Sequence, residues 1–307
     1  MIYDVIIIGS GPAGMTAGIY AVRREMKTLI IGREPGGQLI WANEIENYPG
    51  FESIKSFELI ERIKSQASKA GVDFLQEEVK EIKKTSAGNF FLKAGQDTFE
   101  SRTVIIAMGL SPRRLAIPGE AELNGRGVSF CANCDGPFYK DKVVAVVGGG
   151  NSAVDAAEVM SKIARQVYLI HRGATLKAFD ALVNKVKSQS NIEIIPDSEV
   201  KQIKGSQKVE GVVIVDNASK TEREIVLNGV FIEVGRIAST DLVADLVELN
   251  DFRQIIVNHR GETKTPGLFA AGDVTDAEFK QITVAMGQAT VAALSAYQYL
   301  QTDSQSK

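Results

Sequence analysis

Two stretches decide the fold: Asp4-Val5-Ile6-Ile7-Ile8-Gly9-Ser10-Gly11-Pro12-Ala13-Gly14, and Lys142-Val143-Val144-Ala145-Val146-Val147-Gly148-Gly149-Gly150-Asn151-Ser152-Ala153. Each opens with an unbroken apolar run, the pattern of a parallel strand covered on both faces. Each then meets a glycine cluster and passes into residues with helical spacing. The first glycine (Gly9, Gly148) permits a tight strand-to-helix turn, the second (Gly11, Gly150) lets the backbone approach a pyrophosphate, and the third small residue (Gly14, Ala153) lets the helix pack closely. The helix N-terminus then offers amides and a positive dipole to the phosphates. One such turn can be no more than a turn. Two in matched contexts point to two nucleotide-binding units.

Outward from the first turn, a helix runs to about Arg24 and Lys27 to Ile31 reads as the next strand. Leu59, Ile60, Ile63, Ala67 and Ala70 keep helical spacing over Ser56–Ala70, and Gly71 stops that helix. A hairpin is expected around Ala94-Gly95-Gln96, followed by a core strand into Ala107-Met108-Gly109. Outward from the second turn come a helix, the strand Val167–Ile170, a hairpin over about Val209–Leu227, and a closing run, Gly229 to Gly235. The remaining chain has one strand, Gly267 to Asp273, and a final helix from about Thr283 to Leu300. That piece is too short for a third domain and is expected to fold back onto the first unit. The expectation is an α/β fold of two Rossmann-like domains, the second inserted in the first: residues 1–112 and 243–307, and residues 116–240.

The chain's 307 residues suit two domains at about 100–200 residues each. Thirty-five basic against 38 acidic residues leave a net charge of −3, which argues against nucleic acid or an anionic membrane as partner. No apolar run approaches the ~18 residues of a membrane span. No basic, cleavable leader precedes the first strand, so the cytoplasm is the expected location.

The ribose-reading positions differ between the units. Gly32 ends the second strand of the first unit, and Glu34 is either a ribose ligand or a solvated turn carboxylate. The second unit has His171 and Arg172 there: Arg172 suits a 2′-phosphate, and His171 is read first as a satisfied strand-end histidine. The sharpest chemical signal is Cys131-Ala132-Asn133-Cys134. This spacing lowers a thiol's pKa and allows a small, reducible ring. A zinc site needs a second pair of ligands, and only the scattered His171 and His259 remain, so no metal is expected. Two inert buried thiols are the plain alternative. Asp135 is a candidate acid for a departing thiolate, or simply the opening of the turn Asp135-Gly136-Pro137.

Gly9–Gly14, Gly36-Gly37-Gln38-Leu39, Glu46-Asn47-Tyr48-Pro49-Gly50, Cys131–Gly136, Gly148–Ala153 and Ala270-Ala271-Gly272-Asp273-Val274 together resemble the low-molecular-weight thioredoxin reductases, in the family's order and over nearly the whole chain. The resemblance implies a flavin domain interrupted by a pyridine-nucleotide domain that carries the cysteines, in a homodimer. FAD would lie on Gly9, Ser10, Gly11, Pro12, Ala13 and Gly14, on Ile31, Gly32, Glu34, Gly36, Gly37 and Gln38, on Asn47 and Val79, on Ala107 to Gly109, and on Asp273, Lys280, Gln281 and Ile282. The nicotinamide dinucleotide would lie on Gly148, Gly150, Asn151, Ser152, Ala153, His171, Arg172 and Lys177. Cys131 and Cys134 would be the redox pair and Asp135 the acid.

One motif departs from the family. Its 2′-phosphate clamp reads His-Arg-Arg, three residues, then Arg; this chain reads His171-Arg172-Gly173-Ala174-Thr175-Leu176-Lys177. The expected flow is NADPH to FAD to the Cys131–Cys134 disulfide to thioredoxin or a similar dithiol protein. NADH, ferredoxin or another donor is the alternative, ahead of a ferredoxin–NADP reductase or a redox sensor. A rotation between the domains is expected, with Pro112–Gly119 and the region after Gly235 as hinges, and Arg126 and Phe138 are candidate docking residues for the protein substrate.

Overall fold

The computed structural model describes residues 2–41, 44–86 and 88–305. The chain divides into two compact units, Met1–Ser111 with Ile237–Lys307, and Pro112–Arg236. In chain order the first holds β1 (Ile2–Ile8), α1 (Pro12–Val22), β2 (Thr28–Ile31), α2 (Ser56–Ala70), β3 (Asp73–Leu75), β4 (Val79–Lys84), β5 (Phe90–Ala94) and β6 (Asp97–Ile106). The inserted unit holds β7 (Val128–Ser129), α3 (Ala132–Asp135), β8 (Val143–Val147), α4 (Asn151–Ser161), β9 (Gln166–Ile170), α5 (Asp180–Lys187), β10 (Ile192–Ile195), β11 (Ser198–Lys204), β12 (Gly211–Asp216), β13 (Glu222–Val226) and β14 (Gly229–Ile232). The chain then returns to the first unit with β15 (Leu268–Ala270) and α6 (Ile282–Gln305).

The first unit is built on β1. Its register pairs Ile7 with Ile30 of β2 and with Ile105 of β6, both parallel. Because side chains alternate along a strand, Val5 and Ile7 enter one apolar core and Ile6 and Ile8 the other. The first core is closed by small residues: Ala13, Ala17 and Ala21 of α1 meet Ala289, Ala292, Ala293 and Ala296 of α6. β15 pairs with the second half of β6, while the first half of β6 forms an antiparallel hairpin with β5. α2 has the expected bounds, with Leu59, Ile60, Ile63 and Ala67 buried. It stops where Gly71 turns left-handed, at φ 100°, and its amide bonds back to the last turn.

The inserted unit repeats the plan in the strand order β10-β9-β8-β14-β7, all parallel. Val144, Val146 and Phe231 pack on α4 through Ala153, Ala156, Ala157 and Met160. Ala145, Val147 and Ile170 pack the other way, against Val200, Ile203, Val212 and Ile214 of an antiparallel sheet formed by β11, β12 and β13. The expected hairpin is thus β12–β13, and β11 adds a third strand to it.

The stretch expected to be a hinge is mostly fixed inside this unit. The Glu120 carboxylate accepts the amides of Leu115 at 3.2 Å and Ala116 at 2.6 Å, and Pro118 accepts the Ile203 amide at 2.9 Å. A Cβ on Gly119 would overlap the Ile203 carbonyl. The two passages of the chain between the units, Ser111–Pro112 and Arg236–Ile237, are short strands that pair with each other.

Phe231 is fully buried, with its ring edge-on to Tyr139 at 5.3 Å between centroids. Phe231→Ala is expected to cost the inserted unit about 3–5 kcal/mol, the usual loss for a deleted core aromatic. Urea unfolding followed by a probe in this unit measures it, and a loss below about 1 kcal/mol would contradict the packing described.

Candidate functional site

In the first unit, α1 begins without a capping side chain, its N-cap being Gly11 in extended conformation (φ −77°, ψ −175°). A Cβ on Gly14 would overlap the Gly9 carbonyl oxygen, and one on Gly9 (φ +114°) would overlap that of Ala107, so packing within the chain demands both glycines. Gly11 is different. Its nearest neighbour to an added Cβ is the Gly37 Cα at 3.7 Å, so a side chain would fit. The space kept clear lies over uncapped helix amides, which is the cradle a dinucleotide pyrophosphate requires.

Distant segments converge on this cradle. The Gly9 amide donates to the Ile31 carbonyl and the Ala107 amide to the Ile8 carbonyl, both at 2.8 Å, the length of a regular ladder bond. Gly36 donates to the Ser10 carbonyl at 2.8 Å, and the Ser10 hydroxyl to the Glu34 carbonyl at 2.7 Å. Gln38 Nε2 reaches Asp273 Oδ2 at 2.7 Å, and Asn47 Nδ2 reaches Gln281 Oε1 at 3.1 Å. Lys280 Nζ donates to the carbonyls of Asp273 (3.0 Å) and Thr275 (2.7 Å). Burial lowers the Lys280 pKa, against the pull of Asp273 and Asp276. Gly109 (φ +64°) faces Gln38, and Ile282 begins α6. Gly32 packs on Ser10, Val79 is a buried core residue, and the Glu34 side chain is exposed.

In the inserted unit, α4 likewise starts uncapped at Gly150 (φ −95°, ψ −177°), where an added Cβ would meet nothing closer than the Lys177 carbonyl at 4.0 Å. Gly148 (φ +143°) has no such room: an added Cβ would overlap the Glu233 carbonyl oxygen and come within 2.8 Å of the Cβ of the fully buried Ala153. Two bonds strap the following segment to this turn: Lys177 N–H to the Gly149 carbonyl at 2.6 Å, and Phe179 N–H to Asn151 Oδ1 at 2.8 Å. A cavity of about 640 Å³ opens there, lined by Gly148 to Ser152, His171, Arg172, Gly173 and Lys177 among others. His171 is buried, and burial holds its imidazole below its usual pKa despite Asp197. Arg172 and Lys177 are exposed. A Cβ on Gly173 would make only an ordinary contact, with the Thr175 carbonyl at 3.6 Å.

Cys131 and Cys134 form a disulfide, with Cα atoms 5.4 Å apart. Cys131 caps α3: its Sγ accepts the Cys134 N–H at 3.0 Å, and its own amide donates to Ser129 Oγ at 3.0 Å. Cys131 is buried and Cys134 exposed. The Asp135 amide bonds the Cys131 carbonyl at 3.1 Å. Burial raises the pKa of Tyr139, with the Asp135 charge adding to it. Phe138 is 72% exposed, and the Arg126 guanidinium donates to the Glu122 carbonyl.

Residues 3–289 match the family described as pyridine nucleotide-disulphide oxidoreductase. A thioredoxin reductase of Bacillus subtilis (strain 168) is 40% identical over 302 residues, covering 98% of this chain and 95% of that protein. The chain belongs to this family, among its thioredoxin reductases. The crystal structure of Lactococcus lactis thioredoxin reductase (FR conformation) matches with a TM-score of 0.90 at 38% identity, over 98% of this chain and 99% of that one. A ferredoxin-flavin thioredoxin reductase from Clostridium acetobutylicum matches with a TM-score of 0.55 at 32% identity, over 98% and 99% of the two chains.

Four residues at these sites were not anticipated from the sequence. Arg113, Arg114 and Glu233 line the cavity of the inserted unit. Gln288 of α6 accepts the Gly272 amide at 2.9 Å and the Thr275 hydroxyl at 3.2 Å, holding the turn that carries Asp273. Only Glu233 left a sequence signal: it is the lone acid in the apolar run from Gly229 to Gly235.

Gly14→Ala is expected to lower the thermal unfolding midpoint of the first unit or prevent its folding, whereas Gly11→Ala leaves that midpoint nearly unchanged. Loss of bound dinucleotide cofactor in Gly11→Ala then reports an occluded cradle. Equal destabilisation by both substitutions would contradict the geometry.

Proposed function

We propose that the chain is an FAD-dependent thioredoxin reductase that carries electrons from NADPH through FAD and the Cys131–Cys134 disulfide to thioredoxin or a similar small dithiol protein. The observation that carries this reading is the closed Cys-x-x-Cys ring at the start of α3, in the same unit as one of two uncapped, side-chain-free nucleotide cradles. FAD belongs to the cradle of Met1–Ser111 with Ile237–Lys307, held by Gly9 to Gly14, Gly36 to Gln38, Asn47, Ala107 to Gly109, Asp273 and Lys280 to Ile282. The nicotinamide dinucleotide belongs to Pro112–Arg236, on Gly148 to Ala153, Arg172 and Lys177. The same reading makes the enzyme a cytoplasmic homodimer with no nucleic-acid or membrane partner. Among the described residues no helix is long and apolar enough to cross a membrane.

When bound, FAD supplies two-electron exchange between a nicotinamide and a disulfide. The chain's own residues manage the sulfur chemistry. Opening the ring leaves one sulfur to be protonated and one to act as nucleophile. The Cys134 amide, aimed at Cys131 Sγ, favours a thiolate on Cys131. Asp135, next to Cys134 in the chain, is placed to hand a proton to the other sulfur. The thiolate attacks the disulfide of the protein substrate to give a mixed disulfide, and the second cysteine then displaces the reduced product. Phe138 offers an exposed apolar contact for that substrate beside the ring.

Donor choice turns on Gly173 and Lys177. Arg172 favours a 2′-phosphate, and no carboxylate stands at that strand end to reward a bare ribose diol. A guanidinium contact is missing at Gly173, and Lys177 supplies a point charge without arginine's bidentate geometry. The weakened clamp favours, as a second reading, a donor other than NADPH.

Anaerobic rapid mixing of the oxidised protein with NADPH, NADH and reduced ferredoxin tests the donor through flavin bleaching. Bleaching by NADPH with a high KM is expected, and a smaller preference over NADH than an intact clamp gives. A charge-assisted hydrogen bond contributes about 1.5–3 kcal/mol, so Gly173→Arg with Lys177→Arg is expected to tighten NADPH by roughly ten- to a hundredfold and leave NADH nearly unchanged. Rapid bleaching by ferredoxin alone, with no gain in the double variant, would overturn the NADPH reading. Cys131→Ser and Cys134→Ser are each expected to abolish thioredoxin reduction while flavin bleaching by the donor persists. Full thioredoxin reduction by either variant would take the disulfide off the electron path.

A further inference from the structure

Glu233 stands where an anion site should have no carboxylate. It directly follows β14, and its backbone is fixed beneath the glycine turn: its amide donates to the Val147 carbonyl at 2.8 Å, and its carbonyl presses on Gly148. Glu233 is one of the residues that line the cavity together with Gly148 to Gly150. A negative charge there opposes the pyrophosphate that the turn and the α4 N-terminus attract.

Groups from every neighbouring element bear on this carboxyl. Arg236, three residues on, favours its ionised form, and Asp155 of α4 disfavours it. Arg113, Arg114, Arg172 and Lys177 bring positive charge to the same cavity, and Glu199 and the buried His171 complete its titratable lining. Burial, with the Asp155 charge adding to it, outweighs Arg236 and pushes Glu233 up to about 7. The group is therefore near half-protonated at neutral pH.

We propose that Glu233 couples dinucleotide binding in this cavity to proton uptake, the carboxyl gaining protonation when a pyridine dinucleotide occupies the site. The inference rests on the reading of Pro112–Arg236 as the nicotinamide-binding unit. The sign follows from linkage. An anion beside the carboxyl raises its bound-state pKa above its free-state pKa. Affinity is then full below about pH 7 and falls as pH rises through that value, by at most about tenfold per pH unit. His171, held below its usual value, titrates on the acid side of this window. NAD+ serves beside NADP+ because it lacks the 2′-phosphate, whose own titration near about pH 6 would confuse the profile.

The test is calorimetric titration of the oxidised, FAD-loaded enzyme with NADP+ and with NAD+, from about pH 6 to about pH 8.5, in two buffers of different ionisation enthalpy. The Kd of both nucleotides is expected to rise about tenfold or more across that range, with net proton uptake on binding near neutral pH. Glu233→Gln, the isosteric copy of the protonated form, is expected to keep the low-pH affinity, flatten the profile and abolish the proton uptake. A pH-independent Kd in the parent enzyme overturns the inference, as does an unchanged slope in Glu233→Gln. Failure of both nucleotides to bind at any pH overturns the nucleotide-unit reading instead, and the inference with it.

Discussion

The approach of α1 to the end of β1, where Gly14 leaves no room for a methyl group against the Gly9 carbonyl, fixes everything around the cradle of the first unit. Strand and helix cannot separate without opening the fully buried core of Val5, Ile7 and the α1–α6 alanines. The helix therefore starts at one place, with its amides aimed beyond the carboxyl end of the sheet. Parallel strands deliver their connecting loops to that same end. Gln38, Gly109 and Asp273 meet there although the chain runs through the whole inserted unit before Asp273 appears. The inserted unit repeats the constraint with Gly148, and adds to it the close approach of Glu233.

Charge in the inserted cavity is a balance, and counting cations does not settle what it selects. Arg114 lies over the Phe130 ring at 4.2 Å, an arrangement that fixes a guanidinium's orientation at small entropic cost. Arg172 and Lys177 are exposed and screened by solvent, so their contribution depends on geometry toward the ligand. Glu233 is partly buried, and burial favours its neutral form. Gly173 and Lys177 lie in the segment after the β9 strand end and Glu233 at the glycine turn, so substitutions at the two places act on different parts of the cavity and should add.

The sequence was most legible where local and global preferences agree. Ser56–Ala70 carries an amphipathic repeat and a left-handed glycine at its end, and the helix has those bounds. The two glycine turns were legible because their chemistry is written in three residues each. β11 was not, since Ser198–Lys204 mixes apolar and charged residues without a clean alternation. The pairing of Asn47 with Gln281 depends on tertiary proximity alone, and only the family resemblance had put both at one site. Gln288 is polar inside an alanine-rich helix, a pattern that reads as a solvent-facing position until Gly272 and Thr275 are brought against it. Pro112–Gly119 looked like a linker because proline and glycine mark turns. Glu120 and Ile203 turn that punctuation into fixed structure.

The disulfide is the one covalent cross-link, and its size says what it is for. A ring closed over three residues removes little freedom from the unfolded chain, about 2 kcal/mol on the chain-entropy scale, against about 4.7 for a loop of about 100 residues. The inserted unit is held instead by the fully buried Val144, Val146, Phe231 and Met160, none of which depends on the sulfurs being joined. The Cys131 backbone is held by bonds that do not involve the sulfurs: its amide donates to the Ser129 hydroxyl and its carbonyl accepts the Asp135 amide. None of these contacts needs the ring to be closed, and the Cys134 amide already points at Cys131 Sγ. A cross-link that removes so little unfolded-state entropy, on a scaffold held by apolar packing, is one whose opening costs the fold little.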